Sequence, residues 1–374
     1  MAKILNEVGL SFDDVLLLPQ YSEVTPNAVN ISTLAARGIK LNTPILSSAM
    51  DTVTEDTMAI AMAQNGGLGI IHKSMTIERQ ATLVKHVKAT QPTGDKSALD
   101  QSGRLLCGAA LGITADLDER AQALIAAGVD VVVLDSAHGY SKNVISALKS
   151  LKLKFPNLPV ICGNVATYDG AKALAEAGAD AVKVGMGPGS ICSTRIISGM
   201  GVPQLTAIME SARACAPLNV PVIADGGIRF SGDVTKALAA GASAVMIGGL
   251  LAKTTEAPGA VVEIDGKKYK SYRGMGSIEA MSAAHGAKDR YFQTGQKKLV
   301  AEGVDALVPL GGSAADVLFQ LSGGLRSGMG YLGAKDIGEL QRKAVFIRIT
   351  ENGLNESHPH DIRMTHAEPN YKGR

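Results

Sequence analysis

The chain has 374 residues, of which 46% are hydrophobic and 19% are charged. This composition is typical of a soluble globular protein and excludes disorder, collagen and coiled coil as descriptions of the whole chain. Lys and Arg number 37 against 35 Asp and Glu, so the formal net charge is +2. Without a block of basic residues, nucleic acid is not an expected partner.

The cysteines and the N-terminus indicate the compartment. The four cysteines show no C-x-x-C pair, whereas a disulfide scaffold or a zinc site would need paired spacing. Residues 1–10 do not read as a signal peptide, and no apolar stretch reaches the roughly 18 residues that a membrane span requires. We therefore expect a cytoplasmic protein with reduced thiols and no membrane partner.

Nine short apolar runs predict β-strands. In chain order they cover residues 44–46, 68–71, 106–110, 131–135, 159–162, 181–185, 221–224, 244–248 and 306–310. Four of the runs follow a recurring four-residue phrase, at residues 127–130, 177–180, 240–243 and 302–305. In this phrase a glycine ends an alanine-rich helix and the next strand begins. Such alternation predicts βα units and a parallel sheet.

The nine candidate strands come close to the eight of a (β/α)8 TIM barrel. A doubly wound open sheet is the alternative, but it would concentrate polar residues at one switch point. Here polar and glycine residues follow the strands in many separate units. This favours a barrel whose site is built from all the C-terminal loops, and we expect residues 1–374 to form one catalytic barrel.

Three segments depart from the barrel pattern. Residues 90–104 are polar, with one proline and two glycines, and predict a surface connection. Residues 259–273 alternate around Asp265-Gly266 and predict a β-hairpin excursion. The segment 352–374 is polar and carries His358, His360 and His366. An extended tail is favoured there over a metal site, because no Cys or carboxylate spacing supports a ligand set.

Residues 185–195, with the sequence GMGPGSICSTR, follow a buried strand and so belong at the catalytic rim of a barrel. Cys192 lies between hydroxyl residues, and Arg195 is near enough in sequence to favour its thiolate. These features indicate a nucleophile. An inert buried thiol is the alternative from the sequence alone.

Two glycine pairs follow neighbouring late strands: Gly226-Gly227 after Asp225, and Gly248-Gly249. Bare backbone amides in paired late-barrel loops form the usual phosphate site of barrels, and Asp225 could hold ribose hydroxyls. The alternative is that the glycines only turn the chain. The loop at 272–277 adds a hydroxyl donor.

Asp135, Ser136 and His138 end another strand. Neighbours on one loop rarely meet the geometry of a hydrolase triad, so a ligand-binding role is favoured. Asn164 lies at a similar position after its strand. By pattern alone, residues 289–292 are typical of a solvent-facing polar segment.

These segments together resemble the inosine-5′-monophosphate dehydrogenase family over nearly the whole chain. The resemblance is carried by FDDVLLLPQYSEVTP (12–26), PILSSAMDTVTE (44–55), GMGPGSICSTR (185–195), ADGGIRFSGDVTKALAAGASAVMIGGLLA (224–252), YRGMGSIEAM (272–281) and DRYF (289–292). It implies a homotetrameric barrel that oxidises IMP to XMP with NAD in guanine nucleotide synthesis. Cys192 would attack carbon 2 of the hypoxanthine ring, and water would hydrolyse the resulting thioimidate after hydride transfer.

The resemblance also assigns site residues. The catalytic positions are Cys192, Thr194, Arg290, Tyr291 and Glu302. Arg290 and Tyr291 would belong to a mobile flap that replaces departed NADH and activates water, within the hairpin and flap region 259–305. Thr194 and Glu302 match a second proton route. The substrate positions are Ser48, Met50, Ser190, Asp225, Gly227, Gly248, Gly249, Tyr272, Met275, Gly276 and Glu302.

For NAD the resemblance implies Asp135, Ser136, Ala137, His138, Asn164 and Gly185. For a potassium ion it implies backbone carbonyls of Gly187, Gly189 and Cys192, with Glu351, Asn352 and Gly353 of a neighbouring subunit.

The chain departs from the family at one place. Residues 90–104 stand where the family carries a pair of nucleotide-sensing CBS modules, so we expect regulation through those modules to be missing. GMP reductase is the nearest alternative function, but it lacks the Arg290-Tyr291 pair. A nucleotide-binding protein without catalysis and a phosphate-binding barrel lyase are more distant alternatives.

Overall fold

The computed structural model describes residues 2–283, 285–291, 293, 295, 298–366 and 368–371. Its strands are β1 (Val15–Leu17), β2 (Thr33–Ala36), β3 (Ile39–Leu41), β4 (Ile45–Ser47), β5 (Leu68–Ile71), β6 (Gly108–Leu111), β7 (Val131–Asp135), β8 (Val160–Val165), β9 (Ala181–Val184), β10 (Val222–Asp225), β11 (Ala244–Ile247), β12 (Val261–Ile264), β13 (Lys267–Arg273), β14 (Asp305–Pro309) and β15 (Phe346–Arg348). Its α-helices are α1 (Asp56–Gln64), α2 (Ile77–Ala89), α3 (Leu117–Ala127), α4 (Lys142–Lys154), α5 (Tyr168–Glu176), α6 (Thr194–Ile197), α7 (Gln204–Cys215), α8 (Ser231–Ala239), α9 (Gly249–Ala252), α10 (Ile278–Ser282), α11 (Ala314–Leu332), α12 (Ile337–Lys343) and α13 (Glu351–Glu356).

The eight strands β4 to β11 are parallel and close into a barrel, because β11 pairs with β4. Alternate residues of a strand face opposite sides, and the barrel has two apolar layers accordingly. One layer, which includes Leu46, Ile70, Val133 and Ile223, fills the barrel. The other packs the strands against the surrounding helices. The predicted (β/α)8 fold is confirmed.

The ninth predicted strand is not part of the barrel. Residues 305–309 form β14, which pairs antiparallel with β13 at the edge of a three-stranded sheet. No helix precedes it among the described residues between Ser282 and Asp305, so the prediction of a fourth helix-to-strand unit there is wrong. The side chains of β14 alternate between exposed and half-buried, whereas the barrel strands are almost entirely buried. One covered face is enough for an antiparallel strand.

The predicted hairpin is confirmed. Strands β12 and β13 pair antiparallel from Val261–Lys270 to Ile264–Lys267. The two turn residues, Asp265 and Gly266, have φ values of 50° and 71°, the left-handed conformation that a type I′ turn requires at both positions. The hairpin and β14 stand beside the C-terminal mouth of the barrel and contribute Tyr272 to it.

The other two segments that were predicted to depart from the barrel pattern, residues 90–104 and 352–374, contain some secondary structure. Residues 97–106 form a turn closed by a bridge between Leu99 and Leu105. At the other end of the chain, α13 covers Glu351–Glu356, so the first residues of the predicted extended tail are helical. His358 packs against Phe230 and Tyr371. Within the described ranges, no group of His, Cys, Asp or Glu has the arrangement of a metal site, and no helix is long and apolar enough to cross a membrane.

Candidate active site

The loops at the C-terminal end of the barrel enclose a cavity of about 1200 Å³. Most of the predicted site residues line it, from the segments after six of the eight barrel strands and from the sheet beside the mouth. These are Ser48, Met50, Asp135, Ala137, Asn164, Gly185, Gly187, Gly189, Ser190, Cys192, Thr194, Asp225, Gly227, Gly248, Gly249, Tyr272, Met275, Arg290, Tyr291 and Glu302. Six predicted residues with described positions do not line it: Ser136, His138, Gly276, Glu351, Asn352 and Gly353.

Cys192 lies on a loop that is pinned on both sides. Its N–H donates to the carbonyl of Gly189 at 3.1 Å, and its Sγ donates to Thr194 Oγ1 at 3.2 Å. The N–H of Ser193 donates to the carbonyl of Glu302 at 3.0 Å. The loop therefore brings Cys192, Thr194 and the segment of Glu302 together, although Glu302 is more than a hundred residues away in the chain.

Cys192 also differs from the other three cysteines in its surroundings. Cys107, Cys162 and Cys215 are buried, and Cys192 is half-buried and faces the cavity. Burial raises the pKa of Cys162 and of Cys215 to about 12, and it raises the pKa of Cys107 as well. A thiolate is the reactive form of cysteine, so the three buried thiols are inert and Cys192 is the accessible one.

Arg195 does not act on Cys192 in the way predicted from their spacing. Its Nε donates to the carbonyl of Met186 at 3.0 Å and its Nη2 donates to the carbonyl of Val202 at 2.7 Å. The side chain also packs over Gly187, where a Cβ would lie 2.5 Å from Arg195 Cγ. Arg195 thus fastens the loop by its backbone, and the interpretation of a thiolate partner is wrong.

Tyr272 and four glycines shape one end of the cavity. The Tyr272 hydroxyl hydrogen bonds with Ser190, and burial raises the pKa of Tyr272 to about 12. A Cβ at Gly248 would lie 2.8 Å from this hydroxyl, and one at Gly249 would lie 3.3 Å from Ser190 Oγ. Gly226 and Gly227 have φ values of 88° and 82°, where a side chain is strained. This end therefore presents backbone amides and two hydroxyls.

Lys183 lines the cavity and was missed by the sequence analysis. It shares the inner face of β9 with Ala181 and is buried in the barrel. Its ammonium lies 2.7 Å from Asp225 Oδ2 and 3.0 Å from Asp135 Oδ1, and it also donates to Asn164 Oδ1. The signal in the sequence was a lysine inside an otherwise apolar strand, since a buried charge needs partners.

Asn164 completes this network by donating to Asp225 Oδ2 at 2.9 Å and to the carbonyl of Gly185 at 2.8 Å. The predicted ribose ligand Asp225 and the predicted cofactor ligands Asp135 and Asn164 therefore share one buried cation, Lys183. Ser136 and His138 lie next to this network but outside the cavity lining, where the His138 N–H donates to Ser136 Oγ at 3.2 Å.

The flap segment, defined here as residues 285–291, enters the cavity. Arg290 forms an ion pair with Asp135, and its carbonyl accepts a hydrogen bond from the N–H of Ala137 at 3.1 Å. The side chains of Asp289 and Arg290 are only 8% and 15% exposed, so the interpretation of residues 289–291 as a solvent-facing segment is wrong. Phe292, the last residue of that motif, lies outside the described residues.

Tyr291 lines the same cavity as the loop of residues 185–195, called the catalytic loop here because it carries the predicted nucleophile Cys192. Its ring covers Gly276, where a Cβ would lie 2.7 Å from Tyr291 Cζ. Burial raises the pKa of Tyr291, and the proximity of Cys192 and Glu302 raises this pKa further, whereas Arg290 lowers it in part. Five residues predicted as catalytic, Cys192, Thr194, Arg290, Tyr291 and Glu302, thus share one cavity.

The predicted potassium ligands fall into two separate groups. The carbonyls of Gly187, Gly189 and Cys192 belong to the catalytic loop, whereas Glu351, Asn352 and Gly353 form the first turn of α13, which contacts the turn at Phe12–Asp14. Within one chain the second group does not line the cavity.

Comparison with known proteins shows the family of the chain. Residues 9–360 match the family model described as IMP dehydrogenase / GMP reductase domain. The chain is 46% identical to inosine-5′-monophosphate dehydrogenase of Borreliella burgdorferi, over 97% of this chain and 99% of the relative. It is 44% identical to the enzyme of that name from Aquifex aeolicus, over 97% of both chains. The one from Escherichia coli is 41% identical over all of this chain and 99% of its own.

The alignments differ in length. Those with the Aquifex and Escherichia relatives run over 478 and 488 positions, although this chain has 374 residues. The alignment with the Borreliella relative runs over 402 positions. The longer relatives therefore carry segments that this chain lacks, which is consistent with absent CBS modules. With the family model covering most of its length and relatives above 40% identity over 97% of it, the chain belongs to the IMP dehydrogenase / GMP reductase family.

Proposed function

We propose that this protein oxidises IMP to XMP with NAD, through a covalent intermediate on Cys192, and so serves guanine nucleotide synthesis. The observation that carries the proposal is the position of Arg290 and Tyr291. They lie in the same cavity as Cys192, with Arg290 on Asp135. A flap that reaches both the nucleophile and the predicted cofactor residue suits a reaction in two stages. The same pair, Arg290 and Tyr291, is the feature that separates the dehydrogenase from the reductase in the family resemblance.

The monophosphate would bind at the end of the cavity formed by Ser190, Gly227, Gly248, Gly249 and Tyr272. Backbone amides freed of side chains hold phosphate oxygens, and the hydroxyls of Ser190 and Tyr272 add donors. Tyr272 stays protonated at neutral pH, because its pKa is raised to about 12.

The ribose and base would extend from there toward Cys192. Asp225, oriented by Lys183 and Asn164, would accept hydrogen bonds from ribose hydroxyls. Ser48, Met50, Met275, Gly276 and Glu302 would surround the ribose and the base. This placement sets carbon 2 of the purine beside Cys192 Sγ.

The first chemical stage is oxidation at carbon 2. The Cys192 thiolate attacks this carbon and makes it tetrahedral, and the hydrogen on carbon 2 then leaves with its electron pair as hydride. A thioimidate bond between Cys192 and the purine remains. Thr194 Oγ1, at 3.2 Å from Sγ, accepts the hydrogen bond of the resting thiol and so orients the sulfur before it ionises.

NAD would lie along Asp135, Ser136, Ala137, His138, Asn164 and Gly185. Asp135 fits a ligand site because it is a buried carboxylate at the cavity wall. It pairs with Lys183 from the barrel and with Arg290 from the flap. When bound there, NAD supplies the hydride acceptor. The same carboxylate would hold either NAD or Arg290, so the flap would close only after NADH leaves.

The second stage is hydrolysis. Water attacks carbon 2, loses a proton, and the carbon–sulfur bond breaks to give XMP and free Cys192. Arg290 and Tyr291 would hold this water and draw off its proton. An arginine normally stays protonated, so Thr194 and Glu302 provide a second route for the proton, which their common loop contacts support.

A potassium ion would be held by the carbonyls of Gly187, Gly189 and Cys192, together with Glu351, Asn352 and Gly353 of a neighbouring subunit. Oxygen ligands suit a hard cation, and the backbone of this loop is fastened by Arg195. Bound there, the ion would steady the loop that presents Cys192.

The test is NADH absorbance on mixing the protein with IMP and NAD, with and without potassium, beside a parallel reaction with GMP and NADPH. NADH growth that requires IMP and quickens with potassium supports the dehydrogenase with its cation site. Loss of NADPH with GMP, and no signal with IMP, would instead assign the reductase activity of the same family. No signal in either reaction would favour a nucleotide-binding protein without catalysis.

A further inference from the structure

A buried ion pair joins the flap segment to the barrel at a point that the proposed chemistry does not use. Lys73 follows strand β5, and Asp289 immediately precedes Arg290. Lys73 Nζ lies 2.6 Å from Asp289 Oδ1, and the two side chains are 11% and 8% exposed. Neither residue lines the site cavity in the described part of the chain.

Gly112, directly after strand β6, makes room for this ion pair. A Cβ at Gly112 would lie 2.3 Å from Asp289 Oδ2 and 2.9 Å from Lys73 Nζ. The φ angle of Gly112 is outside the left-handed region, so the backbone there accepts any residue. A glycine is therefore needed at this position only because a side chain would overlap the space that Lys73 and Asp289 occupy.

The ion pair between Lys73 and Asp289 adds little net stability to the closed flap segment, so closure of this segment is easily reversed. Two charges leave water when Asp289 docks, and their attraction roughly offsets that cost. Asp289 Oδ2 is buried without a hydrogen-bond partner among the described residues, so Lys73 is the charge on which the buried carboxylate depends. Removing Lys73 would leave that carboxylate buried and uncompensated, and the segment would undock to hydrate it.

We infer that Lys73, Asp289 and Gly112 form a latch that holds the flap segment closed and thereby sets how often Arg290 reaches Asp135. Lys73 is a positioning residue, since it acts through Asp289 on the neighbouring Arg290. This inference rests on the proposed function for its kinetic consequence. The latch would govern the hydrolytic stage, in which the flap is closed, and not the hydride transfer, in which it is open.

The direct test needs no substrate. Hydrogen exchange of the amides of residues 285–291 is measured without ligands in the unmodified protein and in the variants Lys73→Met and Gly112→Ala. The control is Gly323→Ala, because a Cβ at Gly323 would meet no atom within 4 Å. We expect about tenfold faster exchange in the first two variants, which corresponds to a shift of about 1.4 kcal/mol, and no change in the control. Unchanged exchange in both latch variants would overturn the inference.

The kinetic test uses the same proteins with IMP and NAD. In Lys73→Met we expect the first turnover to form NADH as before, while kcat falls about tenfold and the Cys192 adduct accumulates. The KM for NAD should stay level or fall, because the flap competes less for Asp135. A higher KM for NAD with unchanged kcat would contradict the latch. Should Lys73→Met fail to fold, Gly112→Ala decides the question.

The two proposals fail separately. If the unmodified protein makes no NADH from IMP, the proposed function fails while the exchange result still judges the latch. A double variant, Lys73→Met with Asp289→Asn, should be no more impaired than either single variant, because residues that act as one pair are not additive. Additive losses would show that the two side chains act apart.

Discussion

Cys192 is distinguished from the other cysteines by its exposure as well as by its neighbouring sequence. Cys107, Cys162 and Cys215 are buried with raised pKa values, so they remain thiols at neutral pH. We expect iodoacetamide at about pH 8 to modify the native protein at Cys192 alone, as read by mass spectrometry of its peptides. Cys192→Ala should abolish both this labelling and turnover while retaining IMP binding. Equal labelling of Cys162 or Cys215 in the folded protein would contradict this prediction.

Lys183 carries the charge balance of the barrel interior. Because it pairs with Asp135 and Asp225, Lys183→Met should leave the half-buried Asp225 without its cation and the buried Asp135 with Arg290 alone. We expect a loss of about 3–5 kcal/mol in the free energy of unfolding, measured in urea, and a raised KM for IMP because Asp225 loses its orienting partner. The control is Lys149→Met on an exposed site of α4, which should change neither. An unaltered stability of Lys183→Met would show that the carboxylates find other partners.

At the scale of elements, the turn at residues 97–106 overlaps the segment 90–104, where the family resemblance predicts that CBS modules are missing. Lys88 holds it by lying 2.9 Å from Asp100 Oδ2 and 2.7 Å from Asp130 Oδ2. Burial acts to raise the pKa of Asp100, but the N–H of Arg104 and the Lys88 ammonium outweigh it and lower this pKa to about 2. Asp130 behaves in the opposite way, since burial raises its pKa.

The lowered pKa of Asp100 predicts an acid-sensitive contribution to stability. Its ionised form is favoured by folding, so the contribution is fully present above the unfolded pKa of about 4 and is lost as the pH falls toward about 2. We expect Asp100→Asn to cost about 1–2 kcal/mol at neutral pH and nothing near pH 2, by urea unfolding across this range. Comparing the two proteins removes the opposing effect of Asp130. A difference that does not depend on pH would contradict the assignment.

Strand β14 shows where an element could not be read locally. The phrase at 302–305 matches those before three barrel strands, yet β14 joins the sheet of the hairpin. A glycine before an apolar run is compatible with either environment, and the partner strand decides which one applies. The hairpin itself was predictable, because Asp265-Gly266 specifies its turn without help from distant residues.

At the scale of the whole molecule, exposed apolar side chains near Cys192 bear on assembly. Ile196 and Met200 are 87% and 62% exposed in the single chain, and they follow Cys192 closely. Clustered large apolar side chains at a surface mark interaction sites. We therefore expect light scattering to give about four times the mass of one chain, in line with the tetramer that the family resemblance implies.

A matched pair of variants tests this surface. Ile196→Asp should produce smaller species, because a buried charge opposes the interface. Leu153→Asp, at an exposed position on α4, should keep the assembly. A single-chain mass for the unmodified protein would contradict the tetramer and remove the proposed second half of the potassium site.

Much of this protein is determined by local sequence. Runs of apolar residues, three of them after helix-ending glycines, specify the eight buried parallel strands of the barrel. Glycines and polar residues at the strand ends specify a site at one rim with Cys192 in it. These features depend on neighbours in the chain, so they can be recognised without a structure. Only the tertiary structure decided that Lys183 joins Asp135 to Asp225, that Arg195 serves its own loop, and that Lys73 and Gly112 receive Asp289. Those contacts join residues up to 216 positions apart, and packing, not local propensity, selects them.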